Sequence, residues 1–503
     1  VPHLVADELA RRGEPVRHLL SWDDYDRLRK VPAGVDPSFA QHIGRPLTAV
    51  PDPCGEHESW AAHFKAPFRA ALHDLAVDVV EVSQTLMYTG GAYSAQVEHA
   101  MAHRADIDAV LGRYRTRKAE PDEAGEASGS DYYPYKPWCA VCGRDTTTVT
   151  SYDPRTTQVA YRCDCGHVPD PRPVAETPGK LVWKVDWPMR WAYETVDFEA
   201  GGVDHSSPGS SFTVGSHLVR EVFRGEPPTY LGYSFVGVSG QAKMSGSVGG
   251  APTPTDALEV LEPALLRWLY ARRKPSQAFT IAFDQEINRT YDEWDALGRA
   301  VAAGTAAQLP ALARDRAART ASRALRQPER LVPFRTLASL ADVTGGDEAQ
   351  ILRILGDLTP QDPIRELWRT EPRLSCARSW MLRHVPPEER TEVRSSPDDE
   401  LLSALRPAQR EALELLVGGL ADDWSLEGLT NLLYGVPKRQ LGLPLDVQPT
   451  PELKAAQRQW FVLLYRLLVG RDTGPRLPTL LLALGPDRVR LLLGGGRPQP
   501  DAA

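Results

Sequence analysis

The chain has 503 residues, 42% apolar and 25% charged, which is too long for one core and has the composition of an ordinary globular protein of several domains. No apolar run is long enough to span a bilayer, and the start, Val1-Pro-His-Leu-Val, lacks the cationic and apolar regions of an export signal, so a cytoplasmic protein with no membrane contact is expected. A formal net charge of -8 excludes a protein that coats nucleic acid indiscriminately while leaving room for a local basic face.

Leu4, Val5 and Leu9 have helical spacing, which predicts a helix over 3–12 ended by Gly13, and Val16 to Leu20 reads as a short buried strand. The run SWDDYDRLRKVP (21–32) follows directly. In a doubly wound sheet ligands bind at the C-terminal ends of strands, so Asp23, Asp24 and Asp26 could hold an amino group or nucleotide hydroxyls there; a charged surface turn is the alternative. Helices are predicted at 58–75 and 94–113, with an apolar strand at 76–82, an alternation that suggests a parallel α/β sheet. Residues 119–131, acidic and small, read as a loop or hinge.

Four of the six cysteines crowd together as Cys139-x2-Cys142 and, twenty residues on, Cys163-x-Cys165 with His167 close behind. In a cytosolic chain such a cluster reads as a metal site before disulfides, and the spacing suits tetrahedral zinc; a vestigial or redox cluster is the alternative. The second pair is one residue tighter than C-x2-C, which makes His167 a possible substitute ligand. Four protein ligands leave no open position, so the role would be structural.

Strand-like and loop segments are expected over 181–250. The run WKVDWPMRW (183–191) places three tryptophans in nine residues among charges. It looks like an aromatic pocket for the alkyl stem of a cationic ligand beside carboxylates, with a plain strand–helix corner as the alternative. After Gly201-Gly-Val-Asp-His205 and Gly209-Ser-Ser211, a strand at 234–238 leads into Lys243-Met-Ser245-Gly-Ser247 and Gly249-Gly250. A loop with one lysine and two hydroxyls can follow polyphosphate charge with its backbone N–H groups and ammonium, and Thr255 is the expected cap of the next helix. From 256 onward the pattern is helical, with long helices at 409–420 and 453–469. Arg316, Arg319, Arg323, Arg326 and Arg330 are spaced to form one helical stripe, either a solvated face or a track for phosphates.

Taken in order, SWDDYDRLRKVP, WKVDWPMRW, the GG-x-DH-x3-GSS stretch and KMSGS resemble the class I lysyl-tRNA synthetases, and Gly470 to Leu477 resembles that family's C-terminal signature. The resemblance implies an α/β Rossmann-like catalytic domain at 1–120 and 181–250, split at 121–180 by an acidic linker and zinc-binding insertion. An all-α connector at 251–330 and a helical anticodon-binding region at 331–503 would follow. It implies a monomer that activates lysine with ATP and Mg2+, transfers it to tRNA(Lys), and carries structural Zn2+ on Cys139, Cys142, Cys163 and Cys165. Lys243, Ser245 and Ser247 would hold ATP phosphates. Asp23, Asp24 and Asp26 would help hold lysine or ribose, and Trp183, Trp187 and His205 would line the lysine pocket.

Two features depart from the family. Its His-Ile-Gly-His-like motif leaves the first strand and opens a helix, whereas His42-Ile43-Gly44 precedes Arg45-Pro46 and a Pro-rich loop, a decoy. The motif is therefore expected upstream of the helix at 3–12, before Val1. Val248 also stands where a lysine is common. The alternative reading is a truncated or degenerate paralogue that binds lysine or tRNA without aminoacylation, and the chain as given is expected to form lysyl-adenylate poorly.

Overall fold

In the computed structural model, which describes residues 1–114, 129–206, 209–239, 252–358 and 362–494, the first helix spans Pro2–Arg11. The first strand is Leu19–Trp22, three residues later than its predicted start, and Val16 is 40% exposed rather than buried. Helix Trp60–Asp74 starts where the Ser59 hydroxyl accepts from the Ala62 N–H. It ends with Ala76 at φ 52° and the Val77 N–H returning to the Leu72 carbonyl, a left-handed C-cap. That cap consumes the residues expected to begin the next strand, which instead spans Val80–Ser83 and runs parallel to Leu19–Trp22. The helix expected over 94–113 is two helices, Ser94–Ala102 and Arg104–Gly112, broken at His103, whose ring stacks on His99 at 4.1 Å.

Two more parallel pairs follow, Phe198–Gly202 with Thr229–Tyr233 and Val236–Val238 with Phe279–Ile281. Among the described residues the three parallel pairs stay separate rather than joining into one sheet, and no strand in them exceeds five residues. Between them lies the cysteine segment. Tyr135–Pro137 pairs antiparallel with Gly179–Leu181, and Thr147–Asp153 with Gln158–Cys163. Tyr135, Val149, Val159 and Leu181 of this segment share one apolar core with Val97, Met101, Ile107, Val185, Met189 and Leu218.

The strand-like reading of 181–250 is corrected in two places, because Trp183–Glu194 and Ser211–Glu221 are helices. The spacing 183, 187, 191 is i, i+4, i+8, and Asp186 and Arg190 form an i, i+4 ion pair, so the aromatic run has helical period after all. The cap of helix Pro254–Val260 is Thr253 rather than Thr255: its hydroxyl accepts from the Asp256 N–H, while Thr255 donates to the Pro67 carbonyl. Lys243, Ser245, Ser247 and Val248 lie outside the described residues.

The chain divides into two compact units, Val1–Ala257 with Leu266–Ile281 and Ala307–Leu325, and Leu258–Leu265 with Ala282–Ala306 and Arg326–Ala503. The first is mixed α/β and the second, in its described residues, helical. Pro407–Gly419 and Pro451–Val469 start within two residues of the predicted starts. The arginine stripe does not form. Helix Gln308–Ala318 stops before Arg319, which is extended at φ -150°, and Arg326 and Arg330 belong to the other unit. The side chains are also committed locally. Arg316 pairs with Glu8, Arg319 with Asp315 and Arg330 with Asp362, while Arg323 donates to the His73 carbonyl. Among the described residues no helix is long and apolar enough to cross a membrane.

Candidate active site and metal centres

The three aspartates of the SWDDYD run have three different environments. Asp24 is buried and accepts from Lys65, from the Ser83 hydroxyl at 2.6 Å and from the Thr85 N–H at 2.9 Å, which ties the loop after the first strand to the end of the second. Burial pushes its carboxyl up, but those donors outweigh burial and hold it below the usual carboxylate value. Asp23 and Asp26 are partly open and reach a shared buried cluster. Arg190 donates to Asp23 at 2.7 Å and to Asp186, and Lys180 binds Asp26 and lies 3.5 Å from Asp186. Tyr88 donates its hydroxyl to Asp186 at 2.5 Å. Burial alone would raise Asp186, yet Arg190 and Lys180 keep it ionised and below its ordinary value.

Helix Trp183–Glu194 supplies an aromatic wall as well as Asp186 and Arg190. Trp183 stacks on Trp187 at 5.2 Å, Trp187 meets Trp191 at 4.7 Å, and the His205 ring stands edge-on to Trp187 at 5.7 Å. Trp183, Trp187 and His205, singled out from sequence, are thus brought together. Trp191 is buried, while Trp183 and Trp187 are half-buried. Glu199, on the strand that follows, accepts from the Trp191 indole at 3.0 Å and the Trp187 indole at 3.3 Å, both on Oε2. Burial pushes its carboxyl above the ordinary value despite those bonds. Gly201 and Gly202 let neighbours close in, since a Cβ on Gly201 would run into the Tyr230 hydroxyl and one on Gly202 into the Asp204 carboxylate.

Sequence reasoning missed Lys180, Arg190, Asp186 and Glu199. Asp186 and Arg190 had a signal, their i, i+4 spacing between the tryptophans. Lys180 and Glu199 had none, because only the fold carries them to the helix.

The four cysteines converge: Cys139 and Cys165 sulfurs lie 3.7 Å apart, Cys142 and Cys163 sulfurs 3.6 Å, and all four fall within 4.8 Å of one another. Tetrahedral zinc with Zn–S bonds of about 2.3 Å requires sulfur separations of roughly 3.8 Å, so the set fits that ion. His167 is not among the converging ligands; its carbonyl accepts from the Cys163 N–H, which turns the chain at the second pair. The cysteine segment docks at His42-Ile43-Gly44. The Asp145 N–H donates to the Gly44 carbonyl, and Arg144 to the Gln41 carbonyl. Gly44 has φ +88°, and a Cβ there would lie 3.2 Å from the Arg144 side chain.

A second ligand set, unseen in the sequence, is built by Asp52, Cys54, His57 and His63, whose donor atoms also fall within 4.8 Å of one another. Asp52 lies 3.1 Å from His57 Nδ1 and 2.9 Å from His63 Nδ1, and Cys54 Sγ lies 3.3 Å from His63 Nδ1. Cys54 read as a lone cysteine only because its histidine partners arrive through a loop and the first turn of helix Trp60–Asp74.

Residues 1–321 match the family model for class I tRNA synthetases, lysine type. The lysine–tRNA ligase of Streptomyces coelicolor is 56% identical, over 98% of this chain and 90% of that protein. Those of Thermococcus kodakarensis (33% identical, 98% and 91% covered) and Pyrococcus horikoshii (34%, 96% and 89%) are similar along the same span. Among solved structures, a glutamate tRNA ligase from Elizabethkingia meningosepticum with its amino acid aligns over 96% of this chain and 99% of its own, at 11% identity and a TM-score of 0.42, too low to bear on the site. The chain belongs to the class I tRNA synthetases of the lysine type.

Proposed function

We infer that the protein ligates lysine to tRNA(Lys), a reading carried by its likeness, along 98% of its length, to the Streptomyces coelicolor lysine–tRNA ligase. Lysine's carboxylate attacks the α-phosphate of ATP and expels pyrophosphate. The terminal ribose hydroxyl of the tRNA then attacks the adenylate carbonyl and expels AMP. The protein's part is positioning and charge neutralisation, with Mg2+ supplied with the nucleotide. Nothing in the comparisons favours the degenerate paralogue, so formation of lysyl-adenylate is expected in place of the poor formation that the sequence alone suggested.

In this reading residues 1–120 and 181–250 form the catalytic domain, 121–180 the zinc insertion, 251–330 the connector and 331–503 the anticodon-binding region. Lys243, Ser245 and Ser247 hold the ATP phosphates, and Trp183, Trp187 and His205 line the lysine pocket. Asp23 and Asp26, oriented by Arg190 and Lys180, help hold lysine or ribose, with Asp24 pinning their loop. Cys139, Cys142, Cys163 and Cys165 hold structural zinc, and Asp52, Cys54, His57 and His63 offer a second site of mixed ligands. The protein works as a cytoplasmic monomer.

Lysine-dependent exchange of pyrophosphate into ATP tests the reading, and its absence would count against it. In the same assay Lys243→Ala is expected to cost about 10²- to 10³-fold in rate, as loss of one preorganised donor does, with lysine binding unchanged. An unaltered rate would remove Lys243 from the phosphate site.

A further inference from the structure

Among the described residues, Glu199 is a largely buried carboxylate beside the tryptophans with which no Lys or Arg side chain pairs. Asp24 is enclosed by Lys65, Ser83 and Thr85, Asp186 by Arg190, Lys180 and Tyr88, and Asp23 and Asp26 each hold one of those cations. Glu199 receives two neutral indole N–H groups on Oε2, and the Ala200 N–H lies against the same carboxylate. Among the described residues no side chain donates to Oε1 and no cation pairs with Glu199; Arg190 acts on it only through space.

Such an arrangement is costly unless a cation arrives, because a half-buried carboxylate gives up hydration that three neutral donors only partly replace. Of the two indoles that bond Glu199, Trp187 belongs to the wall it forms with Trp183 and His205 and Trp191 packs against Trp187, and aromatic faces of this kind suit a flexible alkyl stem and attract a cation at its end. With the substrate assigned above, on which this step rests, we propose that Glu199 receives the ε-ammonium of lysine and so sets the amino-acid specificity of the site. The indole bonds are the positioning device: they fix Oε2, and among the described residues no side chain donates to Oε1. A neutral side chain of the same length would leave Glu199 without its partner, and a longer polar one would not place its charge beside the tryptophans.

Glu199→Gln tests this, since the amide oxygen can still accept from both indoles while the charge is lost. Calorimetry with lysine and with norleucine, its uncharged near-isostere, is the readout, alongside the melting temperature. The wild-type chain is expected to bind lysine and to discriminate against norleucine. Glu199→Gln is expected to weaken lysine binding by roughly 10²-fold or more, as removal of one partner from a desolvated charge pair does, and to erase the discrimination. Unchanged lysine affinity in a variant that melts like wild type overturns the assignment while leaving the lysine ligase reading intact. A wild-type chain that binds lysine no better than norleucine overturns both. If the Gln variant does not fold, Glu199→Asp is read instead, which keeps the charge but withdraws it by one methylene. A lysine affinity at least 10-fold weaker is then expected, and an unmoved one overturns the proposal.

Discussion

Replacing Cys139 and Cys142 together by Ser is expected to remove one equivalent of zinc and to unfold the segment between Tyr135 and Leu181. The four thiolates tie two chain segments: strand Gln158–Cys163, paired with Thr147–Asp153, leads into one pair, and the turn after Tyr135–Pro137 carries the other. Four sulfurs within 4.8 Å, without an ion, would be mutually repulsive once ionised. Structural zinc supplies an apparent free energy of about 10–16 kcal/mol in small zinc modules, as large as a typical domain's entire net stability of about 5–15 kcal/mol. The loss should also reach the active site, because Lys180, which binds Asp26 beside Asp186, sits on the strand that closes the module. Metal analysis, protease mapping of residues 135–181 and lysine-dependent exchange check this. A double variant that keeps its zinc content and its protease resistance would refute the four-thiolate site.

Arg373→Met is expected to destabilise the second unit by about 3–5 kcal/mol, the cost of leaving buried charges without a partner. The Arg373 guanidinium is fully buried and bonds Glu262 at 2.5 Å and both oxygens of Asp295 at 2.8 and 2.9 Å. The Tyr291 ring lies 5.1 Å from its central carbon. Removing the cation strands two carboxylates in the packing around Tyr291, Phe334 and Trp380, where the first two rings stack at 4.1 Å. Replacing all three charges by apolar residues of similar volume should recover most of the loss, because that also removes the desolvation cost. Denaturant unfolding of the single and triple variants measures both. A single variant within 1 kcal/mol of wild type would mean the triad contributes little, roughly what an exposed pair does.

What the sequence determined by itself was whatever depends on neighbours along the chain. Ordered motifs carried the family, and periodicity carried the long helices Pro407–Gly419 and Pro451–Val469, because an apolar repeat of 3.6 needs no distant partner to be visible. Cysteine spacing marked the four-cysteine cluster for the same reason. Element boundaries failed where a cap or a break rests on local geometry that residue type does not announce, as at Ala76 with its positive φ and at His103. The arginine stripe failed because regular spacing matters only while a helix continues, and Gln308–Ala318 ends before most of it.

Only the tertiary structure decided which charges meet. It set Arg190 between Asp23 and Asp186, brought Lys180 from the cysteine segment to Asp26, and gathered Asp52, Cys54, His57 and His63 into a second ligand set. It also brought two indole N–H groups to Glu199, with which no cationic side chain pairs among the described residues. Coulomb and hydrogen-bond energies act over a few ångströms of space and are blind to sequence separation, so Lys180 and Asp26, 154 residues apart, become partners only when the strands around them are laid side by side.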